Sequence, residues 1–271
     1  MIDFSKAPLL MGVINVTPDS FSDGGDFFDP QKAIDHALQL VEEGADILDI
    51  GGESTRPGAL PVTPEEEQRR VLPVLEGIKQ SGCKTPVSID TRHAETMQKS
   101  IDSDADIIND ISALTHDTES LSVVSKAQIP VMLMHMQGTP ETMQDKPQYD
   151  DVTQEVMAFL KERIEVCVKA GLDQNEIIID PGIGFGKSLK NNLTLLNNLD
   201  KFHDLGCSVL LGASRKSFIE KICPDTPATE RLPGSLAALL KGFDQGVQIF
   251  RVHDVKESKQ ALDVWQSISS A

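Results

Sequence analysis

Aromatic residues are scarce in this 271-residue chain, which has one Trp and one Tyr. That scarcity argues against a surface that stacks nucleic-acid bases. Basic excess is missing too. A formal net charge of −17 repels a phosphate backbone, so no nucleic-acid partner is expected. Any anionic ligand must be held by a local group of cations set against the overall field. No apolar run approaches a membrane span, so no membrane association is expected. The opening residues, Met-Ile-Asp-Phe-Ser-Lys, lack a basic segment followed by an apolar one. No secretory signal and a cytoplasmic location are therefore expected. Cys83, Cys167, Cys207 and Cys223 have neither CxxC nor Cys/His metal spacing and read as buried, reduced thiols. No HExxH occurs and no HxH ends the first apolar run. His135 and His253 therefore lack ligand-spaced partners for metal hydrolysis.

What the chain does have is eight short apolar runs, each ending in a polar or charged residue. They are Leu9–Asn15, Asp46–Glu53, Pro86–Asp90, Asp106–Asp110, Pro130–His135, Glu176–Asp180, Ser208–Ser214 and Val247–His253. A buried strand that stops at Asn, Asp, His or Arg delivers that side chain to one end of a sheet. Eight of them in parallel predict a (β/α)₈ barrel with its active site at the strands' C-terminal end. The length suits one such domain over residues 1–271, and no linker, low-complexity tract or repeat interrupts it.

Helical patterns fill the gaps. Asp29-Pro30 and Thr63-Pro64 each set a capping residue before a first-turn proline. From Asp151 to Ala170, Val152, Val156, Leu160, Ile164 and Val168 recur at steps of four and predict one buried face. Gly171 ends that helix, and Val255 to Ile268 reads as the last one. Three connections are longer than barrel helices need: Val16–Asp29, Ser54–Thr63 and Met136–Tyr149. All follow strands, so all belong to the active-site end, where long loops are commonly functional. Small polar residues and Gly24-Gly25 suit the first to closing over a ligand.

The strand ends sort by chemistry. Asp90, Asn109 and Asp180 emerge into the barrel mouth. A buried carboxylate needs donors, and for any one of these a structural partner is the ordinary explanation. Three together ask for a ligand edge rich in N–H groups, such as a guanidine-like heterocycle, with Lys216 donating to its carbonyl side. A second set is basic: Ser214-Arg215-Lys216-Ser217, then Arg251 and His253, with Arg56 reaching in from the second long loop. Surface ion pairs are the bland alternative. Their position after the seventh and eighth runs is where such barrels often bind phosphate. Pro181-Gly182-Ile183-Gly184-Phe185-Gly186-Lys187-Ser188 ends like a Walker A loop, but its first required glycine is Pro181, so a nucleotide triphosphatase is disfavoured.

Taken in order, these segments resemble the dihydropteroate synthases of the bacterial folate pathway. The resemblance runs from Met11 to about Val264. It rests on Asn15-Val16-Thr17-Pro18-Asp19-Ser20-Phe21-Ser22-Asp23-Gly24-Gly25, Asp49 through Gly58, Ser88-Ile89-Asp90-Thr91, Asn109-Asp110, Met134-His135, Asp180-Pro181-Gly182 with Gly184 through Lys187, Ser214 through Ser217, and Arg251 through Asp254. It implies a transferase that joins 6-hydroxymethyl-7,8-dihydropterin diphosphate to 4-aminobenzoate.

By the same resemblance, Asp90, Asn109, Asp180 and Lys216 hold the pterin, with Met134 packing in its pocket. Asn15, Thr55, Arg56, Arg251 and His253 surround the diphosphate, and Mg²⁺ is carried near Asn15. Ser217 receives the aminobenzoate carboxylate, while Phe21, Pro57, Phe185 and the Lys216 stem wall its ring. Thr55, Arg56, Lys216 and Asp90 are the expected catalytic set. A homodimer and sulfonamide binding are expected as well. Arg92-His93 and Ala213 depart from the family pattern. The alternatives are a methyltetrahydrofolate:corrinoid methyltransferase, which needs no diphosphate pocket, and a pterin-binding protein without catalysis.

Overall fold

Every one of the eight runs forms a strand: β1 Leu9–Asn15, β2 Ile47–Gly51, β3 Val87–Asp90, β4 Ile107–Asp110, β5 Val131–Met134, β6 Ile177–Asp180, β7 Ser208–Leu211 and β8 Ile249–Val252. Each pairs in parallel with the next, and β8 returns to β1, so the sheet closes into a barrel. Parallel neighbours need a crossover between them, and helices supply it. The result is the single-domain (β/α)₈ barrel the sequence predicts. The computed structural model describes residues 4, 8–17, 29–54, 59, 61–139, 142–143 and 147–270. Phe21, Thr55, Arg56 and Pro57 lie outside the described residues, as do most of the first long loop and the centre of the second.

Strand parity divides the core. Leu48, Ile50, Val87, Ile89, Val131, Leu133, Ile177, Ile179 and Val209 face outward and pack under the helices. Met11, Ile47, Ile107, Met132, Ile178, Leu210 and Ile249 face inward and, with Phe4, close the N-terminal end as an apolar plug. Two residues further along, the inward positions turn polar. Asp49 and Asn109 follow Ile47 and Ile107, Asp180 follows Ile178, and Arg251 follows Ile249. Water is thus excluded from below while the opposite end is lined with hydrogen-bonding groups.

The predicted helix starts are observed. Asp29 accepts the Gln31 N–H and Thr63 accepts the Glu66 N–H, each ahead of a proline in the first turn. The helix Val152–Lys169 buries Val152, Val156, Leu160 and Ile164, but Val168 is exposed and Cys167 takes its place. A step of four overshoots a 3.6-residue turn, so the stripe drifts off the core face by the fifth member. The cysteines also differ from expectation. All four are free, but only Cys167 and Cys207 are buried, while Cys223 is exposed. Among the described residues no helix is long and apolar enough to cross a membrane.

Candidate active site

Strand register sets the polar tier. Asn15 is level with Gly51, Gly51 with Asp90, and Asp90 with Asn109, so four consecutive strands present these residues side by side. Across the mouth Met134 is level with Asp180. Asp49 lies below them, wholly buried. It accepts from Asn109 Nδ2 at 3.3 Å and from Arg251 Nε at 2.6 Å. The same guanidinium gives Nη2 to Asp90 at 2.9 Å. Arg251 is therefore tied to Asp49 and Asp90, bonds that use two of its five N–H groups.

Glycine 212 follows β7 and leaves a gap. A methyl group there would stand 3.6 Å from Lys216 Nζ, 3.7 Å from Asp180 Oδ2 and 3.9 Å from Arg251 Cβ. The Lys216 ammonium and the Asp180 carboxylate thus converge on one small space, beside the stem of Arg251. Asp180 is oriented by the Gly182 N–H, 2.7 Å from its Oδ1. Lys216 donates to the Ile183 carbonyl and rides 4.6 Å over the Phe185 ring centre. Phe185 packs with Ile111, Met134 and Met143 into an apolar wall, with Met136 behind it.

Burial sets the electrostatics of this tier. It pushes the Asp90 carboxyl up, with Arg251 opposing and Asp49 adding to the rise. Asp180 is also raised by burial, against the pull of Lys216. Lys216 is lowered to about 8 by burial, with Asp180 holding its proton on. Burial likewise disfavours the Arg251 charge, but Asp49, Asp90 and Asp180 together more than restore it.

Among the other predicted residues, His253 is held by Ser214. Its backbone N–H reaches Ser214 Oγ at 3.3 Å, and its Nδ1 lies 3.0 Å from the same oxygen. Ser217 is exposed and begins the short helix Ser217–Ile222, directly after Lys216. Arg215 turns away to pair with Asp254. The structure therefore brings Asn15, Asp90, Asn109, Met134, Asp180, Phe185, Lys216 and Arg251 to one mouth, with His253 just past β8.

Several residues carried no sequence-based assignment. Asp49 occupies an inward position of β2, and its charge within an apolar run was the available signal. Asp110, also wholly buried, holds the turn after β4 through Ser112 N and Leu114 N at 2.7 and 3.0 Å. That turn carries Ala113 and Leu114 at φ 53° and 60°, a left-handed conformation that side chains resist. Arg92, one of the departures from the family pattern, makes a two-pronged pair with Glu53 at 2.8 and 3.0 Å. The Walker-like lysine is turned inward: Lys187 is 1% exposed, and Ser188 caps the helix Leu189–Leu196.

Polar groups of both signs at the C-terminal end of a parallel eight-strand barrel, above an apolar plug, place this chain among the barrel enzymes. The pterin binding enzyme family matches residues 11–253. The chain is 44% identical to the dihydropteroate synthase of Haemophilus influenzae over 267 residues, covering 98% of this chain and 96% of that one. The Yersinia pestis dihydropteroate synthase, solved with a sulfonamide drug, superposes with a TM-score of 0.93 at 42% identity over 100% of this chain and 97% of that one. The Xanthomonas albilineans dihydropteroate synthase, solved with 4-aminobenzoic acid, does so with 0.92 at 45% identity, covering 98% and 95%. The chain belongs to the pterin binding enzymes and, among them, to the dihydropteroate synthases.

Proposed function

We propose that this transferase joins 6-hydroxymethyl-7,8-dihydropterin diphosphate to 4-aminobenzoate in folate biosynthesis, giving 7,8-dihydropteroate and diphosphate. The observation that carries the reading is the convergence of Asp180 and Lys216 on the space over Gly212, with the Arg251 guanidinium on Asp90 and Asn109 level with Asp90, in a chain of this family. Asp90, Asn109 and Asp180 accept the ring's N–H groups, Lys216 donates to its carbonyl, and Met134 packs against it. A carboxylate already desolvated and oriented binds such donors strongly.

The remaining N–H groups of Arg251 face the diphosphate, together with His253, Thr55 and Arg56. Asn15 ends β1 beside Gly51, and its amide oxygen is a hard ligand of the kind Mg²⁺ accepts. Among the described residues no cluster of three or more His, Cys, Asp or Glu side chains could hold a metal alone. The fit is therefore to an ion that arrives with phosphate oxygens, as Mg²⁺ commonly does. Bound there, Mg²⁺ neutralises charge on the departing diphosphate.

In the reaction the methylene C–O bond breaks, the pair leaves on diphosphate, and the arylamine nitrogen forms the new C–N bond and sheds a proton. Electron density from the dihydropterin stabilises positive charge on the carbon, so departure precedes attack. An arylamine needs no strong base, which accords with a mouth that has no dedicated nucleophile among the described residues. Ser217 receives the aminobenzoate carboxylate, and Phe21, Pro57, Phe185 and the Lys216 stem enclose its ring and keep water from the cation. Sulfonamides compete at that place. The enzyme works in the cytoplasm as a homodimer.

The decisive assay mixes the protein with the pterin diphosphate, Mg²⁺ and labelled 4-aminobenzoate. Labelled dihydropteroate is expected, with sulfonamide suppressing it competitively. Absence of product removes the proposal.

A further inference from the structure

Lys187 takes no part in this chemistry, yet among the described residues it is one of the largest fully buried side chains. Burying an ammonium group is strongly unfavourable unless every donor is met. Here its three N–H donors meet three neutral acceptors: His135 Nδ1 at 3.0 Å, the His135 carbonyl at 3.3 Å and the Phe185 carbonyl at 2.9 Å. His135 directly follows β5 and Phe185 lies in the loop after β6, so one amino group joins two strand ends; burial lowers it to about 7, with Asp180 opposing and Lys216 adding to the fall. Burial lowers His135 to about 3, with Lys187 adding to the fall, which leaves its ring neutral and able to accept.

The same seam is tight elsewhere. Tyr149 donates its hydroxyl to the Gly186 carbonyl at 2.9 Å. A side chain on Gly182 would sit 1.9 Å from the His135 carbonyl oxygen, and one on Gly186 would sit 2.5 Å from that of Gln137. Both glycines have positive φ, 71° and 61°, so the chain bends into this contact where other residues are resisted. Phe185 lies between the two glycines, its ring under Lys216.

We propose that Lys187 is a positioning residue for the arylamine half of the reaction, pinning the Phe185 backbone to the end of β5 so that the Phe185 ring stands at a fixed place beside Lys216. The proposal rests on the reading of Phe185 as a wall of the aminobenzoate pocket. A lysine suits the task because its three donors radiate from one atom and reach acceptors on two segments. A methionine fills similar space without holding either segment.

Steady-state kinetics and pterin titrations on Lys187→Met, Phe185→Ala and the double variant test it. Lys187→Met is expected to raise the KM for 4-aminobenzoate about tenfold, with kcat and pterin Kd within about threefold of wild type. The double variant is expected to match Phe185→Ala alone, because two changes acting through one group do not add. Additive KM effects, or a fall in kcat with KM unchanged, overturn the proposal alone. An unchanged KM in Phe185→Ala removes the reading of Phe185 and the proposal with it. Should Lys187→Met not fold, His135→Ala deletes one acceptor and keeps the backbone ones. It must move the same KM in the same direction, and no change there overturns the proposal.

Discussion

Arg251 donates from Nε to the wholly buried Asp49 at 2.6 Å, although 202 residues separate them in sequence. Asp49 thereby stands under both Arg251 and Asn109 and sets the height of each. Asp49→Asn keeps the shape and removes the charge. Breaking one side of a buried pair leaves the other poorly compensated. The expected result is a drop in kcat/KM of roughly 10- to 100-fold with weaker pterin binding. Kinetics equal to wild type would show that Arg251 needs no such support.

Arg56→Ala separates the two halves of the substrate. Pterin affinity is expected to survive, because Asp90, Asn109, Asp180 and Lys216 are untouched. Turnover is expected to fall sharply if Arg56 has the proposed role of a cation on the leaving diphosphate. Calorimetry with the pterin and a product assay check both parts, and unchanged turnover would sink the assigned role.

Metal removal draws the same line differently. Chelation is expected to stop product formation and added Mg²⁺ to restore it. Binding of a pterin without diphosphate is expected to be indifferent to chelator, since its acceptors come from the barrel alone. Turnover that persists in excess chelator would contradict the metal assignment.

Glu67 offers a pH test of stability. It lies in the helix Pro64–Gln80, wholly buried, with Thr91 Oγ1 donating to its Oε2 at 2.7 Å. Burial raises it from 4.5 to about 7, against the Thr91 and Thr96 hydroxyls and Arg92, with Glu53 adding to the rise. Between those values the folded chain keeps the proton and the unfolded chain has lost it. Stability therefore falls as pH rises through that window and levels off above it. Glu67→Gln removes the slope. At pH 8 it is expected to be more stable than wild type by up to about 3 kcal/mol. Urea denaturation at pH 5 and pH 8 measures the difference, and parallel pH profiles for the two proteins would refute it.

The Arg92–Glu53 pair is nearly buried, with side chains 9% and 7% exposed. Glu53 also accepts the Val62 N–H at 3.1 Å, so one carboxylate joins the two ends of the second long loop. Arg92→Ala is expected to cost about 3–5 kcal/mol of stability, because a buried charge is left alone. The variant lacking both charges, Arg92→Met with Glu53→Met, is expected to recover most of that loss in denaturant titrations.

Much of this molecule was legible in its residues. β6 reads Ile-Ile-Ile-Asp, a short β-branched run of the kind that buried parallel strands show, here delivering an acid to a rim. The same logic located Asp90, Asn109 and Arg251. Asp49 was harder to place, because a charge in mid-strand shows no partner until β8 closes beside it. Lys187 was hidden for a different reason: a lysine after glycines looks like a phosphate ligand, and its inward turn depends on carbonyl groups no pattern records. Val168 failed through simple geometry, since four-residue steps accumulate rotation. The roles of Thr55, Arg56, Pro57 and Phe21 rest on motif alone.

Barrel closure also has a consequence in time. β8 pairs with β1, and its Arg251 completes a cluster begun by Asp49 on the second strand. Contacts so distant along the chain form late, after most of the loop entropy has been surrendered. A ribosome-bound chain lacking its last segment would have Asp90, Asn109 and Lys216 but not the Arg251 guanidinium that ties Asp90 to Asp49. Substrate affinity should therefore arrive in one step with the final strand, making ligand binding a sensor of ring completion rather than of gradual folding.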